Sequence, residues 1–341
     1  MQQKGLIALL AVTAVAVVLA VVSSLGGTSR QNPLVGSAVL PDLAPHLAEI
    51  ERIGLVQGGQ NTTLARQGDS WVVEERGGYP ADAERVRHLL LGLAELSYVE
   101  PKTADAKYYS RLELEDAAAK GAKSTLITVA GAKGALLGEI IAGKRKYDEL
   151  GGGNDGIYLR KPGDSQSWLA RGSLDLPPDT AGWLDKHLLD IPAAQVKEAA
   201  FLAADGSKAT LIRDKPENKF RLVELPKDKK PKSDDALQQP PGVLGALELT
   251  DVKSAKDFAF PASGVAHARF TTFDGLVVTV DIADQDKTSW ARFGATGTGS
   301  TAAEAQHFND KVAPWVVALP SYKADLLKTK LANLLALPKL P

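Results

Sequence analysis

Leu91-Gly92-Leu93-Ala94-Glu95-Leu96-Ser97-Tyr98-Val99 and Leu244-Gly245-Ala246-Leu247-Glu248-Leu249-Thr250-Asp251-Val252 align without a gap and agree at five of nine positions. Other matches surround them in the same order. Thr63-Leu64-Ala65-Arg66, a polar turn and Trp71-Val72-Val73-Glu74 precede the first stretch; Thr210-Leu211-Ile212-Arg213, a turn and Phe220-Arg221-Leu222-Val223-Glu224 precede the second. Each reads as strand, turn, strand. Downstream, a glycine-containing turn between apolar runs falls at Ala132-Lys133-Gly134 and again at Phe273-Asp274-Gly275, where Asp-Gly is a strong hairpin signal. Ser167-Trp168 with Gly172 pairs with Ser289-Trp290 and Gly294, and Trp183 before Ile191-Pro192 pairs with Trp315 before Leu319-Pro320. Matches in fixed order at this spacing argue for internal duplication. The sequence therefore predicts an α+β protein with two repeats of antiparallel sheet plus helices, over residues 50–192 and 193–341.

Within that frame, Pro80 to Leu96 is the clearest helix: Pro80 suits a first turn, Asp82 and Glu84 favour the positive end, and Val86, Leu89, Leu90, Leu93 and Leu96 keep helical spacing. The second repeat replaces its start with Lys227 to Gly242, a charged stretch holding Pro231, Pro240 and Pro241, which predicts an exposed loop. Further helices are expected at Asp179 to Leu189, at Thr301 to Val312 with Thr301 and Glu304 as a capping box, and at Ser321 to Leu335. Strands are expected at Thr125 to Ala130, Ala135 to Ile141, Val196 to Ala203, Ala266 to Phe273, Leu276 to Asp281 and Ser289 to Phe293. The Ser321 to Leu335 stripe is expected to close the second core, with partner or membrane docking as its alternative.

Gly5 to Leu25 is uncharged over its whole length, and as a helix it would match a bilayer's hydrocarbon thickness of about 30 Å. With Lys4 before it and Arg30 after it, the positive-inside rule makes residues 1–4 a cytoplasmic stub and residues 5–25 a single transmembrane helix. The bulk of the chain then lies outside the cytoplasm, in a bacterial inner-membrane setting. A cleaved export signal is the competing reading, with small residues at Ser23, Ser24 and Gly26, and it exports the same remainder. Residues 26–49 are expected to be a linker, with ordered structure beginning near Ile50.

Forty basic residues balance 41 acidic ones, which gives no field to hold a polyanion and argues against nucleic acid as a partner. The absence of cysteine removes disulfides, thiolate metal sites, thiol nucleophiles and a lipid-bearing Cys. His46, His88, His187, His267 and His307 show no metal-ligand spacing. No nucleophile elbow, kinase signature, Walker loop or dinucleotide fingerprint is present. Gly151 to Gly156 is read as a hairpin turn, since strand-like Ile157-Tyr158-Leu159 follows it. Glu113 to Asp116 and Asp284 to Asp286 lack calcium-loop spacing and are read as solvated turns. The five tryptophans are expected in the core. No catalytic, cofactor-binding or metal-binding residue is assigned, and no cofactor is expected.

The apolar N-terminus, the Leu-x-Arg then Trp-x-x-Glu hairpin, Gly78-Tyr79-Pro80-Ala81-Asp82, Tyr98-Val99-Glu100-Pro101-Lys102 and Thr271-Thr272-Phe273-Asp274-Gly275 together resemble the bacterial family called domain of unknown function 4340. The resemblance implies an envelope accessory subunit, because members sit beside ABC-type transport genes similar to those of gliding motility. It carries over no functional residue, and this chain departs from the commoner pattern in the Lys227 to Gly242 insertion. The expectation is a membrane-anchored, non-enzymatic accessory or scaffold protein with ABC transporter subunits as protein partners. An envelope glycan-binding module and a hydrolase with a dispersed site are the alternatives.

Overall fold

Short polar turns between β-branched runs let consecutive strands pair with their immediate neighbours. The structure, a computed structural model, describes residues 32–147 and 155–336. The expected stub and transmembrane span, the start of the linker and most of the glycine-rich turn lie outside these residues. Among the described residues no helix is long and apolar enough to cross a membrane.

Nine strands form the first sheet: β1 (Ile50–Gln57), β2 (Gln60–Gln67), β3 (Ser70–Val73), β4 (Tyr79–Pro80), β5 (Ser97–Pro101), β6 (Thr125–Gly131), β7 (Leu136–Lys146), β8 (Gly156–Arg160) and β9 (Ser167–Arg171). Their order is β4-β3-β2-β1-β6-β7-β8-β9-β5. A small two-stranded sheet pairs β10 (His187–Leu189) with β14 (Leu247–Glu248). The second large sheet takes β11 (Val196–Leu202), β12 (Lys208–Ile212), β13 (Arg221–Leu222), β15 (Asp251–Ser254), β16 (Ala266–Thr272), β17 (Val277–Gln285), β18 (Thr288–Thr296) and β19 (Trp315–Ala318), in the order β13-β12-β11-β16-β17-β18-β19-β15. Apart from β4, the two orders are the same when ten is added to each strand number.

The likeness extends to registers. β1 meets β6 with an irregularity between Ile50 and Arg52, and β11 meets β16 with the same irregularity between Val196 and Glu198. Gly131 N donates to Ala135 O across one hairpin turn and Thr272 N to Leu276 O across its counterpart, both at 2.9 Å. Two of the sequence matches shift, however. Trp168 lies on β9, whose counterpart is β19, the strand of Trp315; Trp290 lies on β18, the counterpart of β8. The cause is α3 (Ala302–Val312), inserted between β18 and β19 where the first copy has only a short turn.

Helices depart further from expectation. α1 is Ala83–Glu95, capped by Asp82 accepting from Arg85 N, while Pro80 stands in β4. In the second copy the matching nonapeptide is a turn followed by β14: Pro240 and Pro241 cannot donate to a helical ladder, and only α2 (Asp234–Gln238), capped by Ser233, survives of the helix. The expected loop is thus exposed over its lysines, but Leu237, Pro240 and Pro241 are buried. Asp179 to Leu189 gives a single 3-10 turn, Thr180–Trp183, and then β10 in place of a helix. Thr301 makes no side-chain cap of α3 and is bonded with Thr298 instead. The last helix breaks into α4 (Ser321–Leu327) and α5 (Leu331–Leu334). The expected linker packs well before Ile50: Val39, Leu40 and Leu43 are buried, and Val39 N donates to Leu96 O at 2.8 Å. Apolar spacing too short to show periodicity hid this docking.

One main apolar cluster runs through both halves, from Val39 to Leu335. Two satellites sit on the opposite faces of the sheets: Leu114, Ile141, Tyr158 and Leu169 on the first, and Phe258, Trp290, Val316 and Ala318 on the second. Each lies under the crossover that carries the chain from β5 to β6 or from β15 to β16.

Gly143 marks how closely the first crossover lies on its sheet, since a Cβ there would stand 2.4 Å from Leu112 O and 2.6 Å from Glu113 O. Gly143→Ala is expected to cost about 2 kcal/mol in urea unfolding, whereas Gly54→Ala, whose nearest neighbour is Thr128 Cβ at 3.9 Å, leaves the midpoint nearly unchanged. The C-terminal turns are tied down by Lys328 Nζ on Asp284 at 2.9 Å and Lys330 Nζ on Asp205 at 2.7 Å. Burial works to raise the Asp284 carboxyl, but bonds from Ser289 and Lys328 hold it below its usual value; Lys330 and the Ser207 amide hold Asp205 well below. Lowered carboxyls add stability above the ordinary aspartate pKa of about 4 and lose it as pH falls through their folded values. Protection factors of the amides in α4 and α5 should therefore hold from neutrality down to about pH 4 and fall in stronger acid.

Candidate functional site

The residues that mark the repeat sequence are spent on holding the fold. Arg66 donates to Ala48 O at 3.0 Å and Arg213 to Val196 O at 2.8 Å, so each Leu-x-Arg arginine clamps the turn that leads into the first strand of its copy. Arg213 is buried, reaches the carbonyls of Pro216 and Ala193 as well, and stacks on Phe220 at 4.4 Å. Burial pushes its guanidinium pKa down. Thr63 N donates to Glu75 and Thr210 N to Glu224, so the counterpart of Glu224 is Glu75, one residue beyond the sequence match. Phe273 N donates to Gln195 O, which fixes the Thr-Thr-Phe-Asp-Gly turn against the same entry turn.

The residues weighed for chemistry are scattered. His88, His187, His267 and His307 are exposed on separate elements, and His46 is half-buried on a 3-10 turn. Among the described residues no group of three His, Asp or Glu side chains could hold a metal ion. Glu115 and Asp116 accept from Lys123 N and Ala118 N within the crossover, and Asp284 to Asp286 lie at the β17–β18 turn. Trp168 and Trp290 are 4% and 5% exposed, which leaves neither indole a face on which a sugar could stack.

The halves meet through groups that sequence matching missed, because they come from non-equivalent places. Arg76 forks onto Asp251, with Nε to Oδ1 at 2.6 Å and Nη2 to Oδ2 at 3.2 Å. Gly77 is in the left-handed region at φ 67°, and a Cβ added there would stand 3.4 Å from the Trp315 ring. Tyr79 packs edge-on against Trp315 at 5.2 Å. Its hydroxyl is buried without a hydrogen-bond partner, and burial, then the charge of Asp185, pushes its pKa up.

Between the strand connecting the halves and α3 lies a groove of about 300 Å³. Leu189, Ile191, Leu276, Val278, Ala295 and Phe308 give it an apolar lining, and His187, His307, Glu304 and Lys311 stand among its polar members. α3 presents Glu304, His307, Phe308 and Lys311 at three- and four-residue spacing, which puts them on neighbouring stripes of one helix. Phe308 meets Phe293 edge-on at 6.4 Å. Asn309 binds both backbone groups of Ala295, at 2.7 and 2.8 Å, and so seats the helix on β18. Lys311 Nζ donates to His187 O at 2.7 Å, closing one end of the groove onto β10. The nearest sequence signal was the capping-box pattern of Thr301 and Glu304 before α3, but β10 stood inside a stretch read as helix.

Tyr79→Phe removes a buried hydroxyl that has nothing to bond, so thermal unfolding should show a gain of about 1 kcal/mol, while Arg76→Ala, which strips Asp251 of its partner, should show a loss.

No curated protein and no solved structure matches the chain. Residues 71–240, from β3 to the first proline after α2, match the family described as Domain of unknown function (DUF4340). That match takes in the first half's side of the junction, part of the first arginine-bearing hairpin, all of the second, and the connection between the halves, and through it the chain belongs to the DUF4340 family.

Proposed function

We propose that the chain is a membrane-anchored, extracytoplasmic accessory or scaffold protein that works by contact beside an ABC-type transport or gliding-motility-like envelope system. The uncharged run at residues 5–25 supports the anchor, through its length and through Lys4 preceding it. The observation that carries the contact reading is the groove between β10 and α3. Seven of its twelve lining residues are apolar, and the ammonium group of Lys311 is engaged by a backbone carbonyl. Such a groove suits an apolar side chain from a partner better than a reacting polar substrate. The family's setting beside transport genes makes membrane ATPase and permease subunits the partners to test.

A photo-crosslinking residue at exposed His307 in native membranes is expected to capture a transporter subunit. His307→Trp, which crowds the groove mouth, should cut co-purification of that subunit several-fold without lowering the melting temperature. Recovery of the full-length chain from membranes by a salt wash alone, or crosslinks only to soluble cytoplasmic proteins, would overturn the proposal.

A further inference from the structure

Equivalent rows of the two sheets carry opposite chemistry on their outer faces. In the first sheet, Asn61, Val56, Leu126, Ile141 and Arg160 stand side by side across β2, β1, β6, β7 and β8. In the second, the same row reads Lys208, Leu202, His267, Asp281 and Arg292 across β12, β11, β16, β17 and β18. The first row is roofed by the crossover at residues 102–124, whose Leu112 and Leu114 pack on Leu126 and Ile141. The second crossover, residues 255–265, is shorter and reaches only Trp290 and its neighbours. Three apolar side chains have thus become one leucine and an ion network on a face left open.

That face holds a depression of about 310 Å³, floored by Ala200 and edged by Lys208, Thr210, His267, Arg269, Thr279 and Asp281. Asp281 is already neutralised: it takes a bond from Arg292 at 3.1 Å and lies 2.7 Å from His267 Nδ1. Arg292 is further held over the Phe260 ring at 4.1 Å. Lys208 and Arg269 form no ion pair among the described residues, and Glu198, two residues along β11 from Ala200, reaches neither. Arg269 and Thr210 flank Ala200 directly on its two neighbouring strands. The Thr210 and Thr279 hydroxyls are spent on Glu224 Oε1 at 2.7 Å and Gly294 O at 3.2 Å, so the donors left for a multivalent oxyanion are the two cations, Lys208 and Arg269.

We propose that this depression binds the phosphate group of a small phosphorylated ligand, held by Arg269 and Lys208, with the Arg292–Asp281–His267 chain fixing the wall. The fit is to a tetrahedral group entering a bowl, because the surface is concave at the cations. The inference stands whether or not the groove beside α3 receives a partner.

Calorimetric titration of the full chain in detergent with inorganic phosphate tests it. Saturable binding is expected, weakened about tenfold by Arg269→Gln or Lys208→Gln, each equivalent to the loss of one charge-assisted contact. Lys144→Gln on the first sheet should leave it unchanged, and melting temperatures should match throughout, since all three positions are exposed. Absent binding, binding indifferent to both substitutions, or acetate binding as tightly as phosphate would overturn the assignment. Binding confined to anionic phospholipid vesicles, with no response to inorganic phosphate, would overturn it in favour of a bilayer surface.

Discussion

The placing of one strand governs everything else in each half. β5 and β15 come from the middle of their repeats yet close the far edge of their sheets, beyond β9 and β19. The chain must therefore travel over a sheet to reach that edge and travel back to start the next strand in the centre. The outward passage fills one face with α1, or with α2 and its prolines, and builds the main apolar core. The return passage crosses the other face and leaves a satellite cluster there. A sheet whose strands followed one another in order would need neither passage and would have one wet face.

This constraint explains which parts of the fold were legible in the residues. Hairpin strands such as Thr125 to Gly131 alternate buried and half-buried positions, so period-two patterning exposed them. The duplication was legible because turn residues repeat where φ is positive, as at Gly134 and Gly275. Segments whose partner is distant were illegible. Val39 and Leu43 dock against β5 and α1 from a stretch rich in glycine and proline, and His187 to Leu189 becomes strand only because β14 lies beside it. Tertiary pairing overrode local preference in both places. The nonapeptide that marks the repeat starts as helix end in one copy and as turn in the other, and only its last residues, on β5 and β15, share local structure.

The candidate groove and the open sheet face both arise where the second copy departs from the first. Insertion of α3 into the β18–β19 connection creates the groove wall, and shortening of the crossover uncovers the Lys208 to Arg292 row. Neither could be read from matched residues, because matching emphasises what the copies share. The shared residues, Arg66 with Arg213 and Glu75 with Glu224, bind backbone and serve both halves alike. Specialisation lies in the remainder.

Shared register carries a hazard of its own while the chain is folding. A nascent β6 could pair with β11 as well as with β1, since strand lengths and the early irregularity agree. The charged row on β16 and β17 penalises that exchange: strands carrying His267 and Asp281 would bring ionic groups beneath the roof of Leu112 and Leu114. The divergence of one sheet face thus leaves β6 and β16, alike in register, chemically unlike on the side that meets the roof.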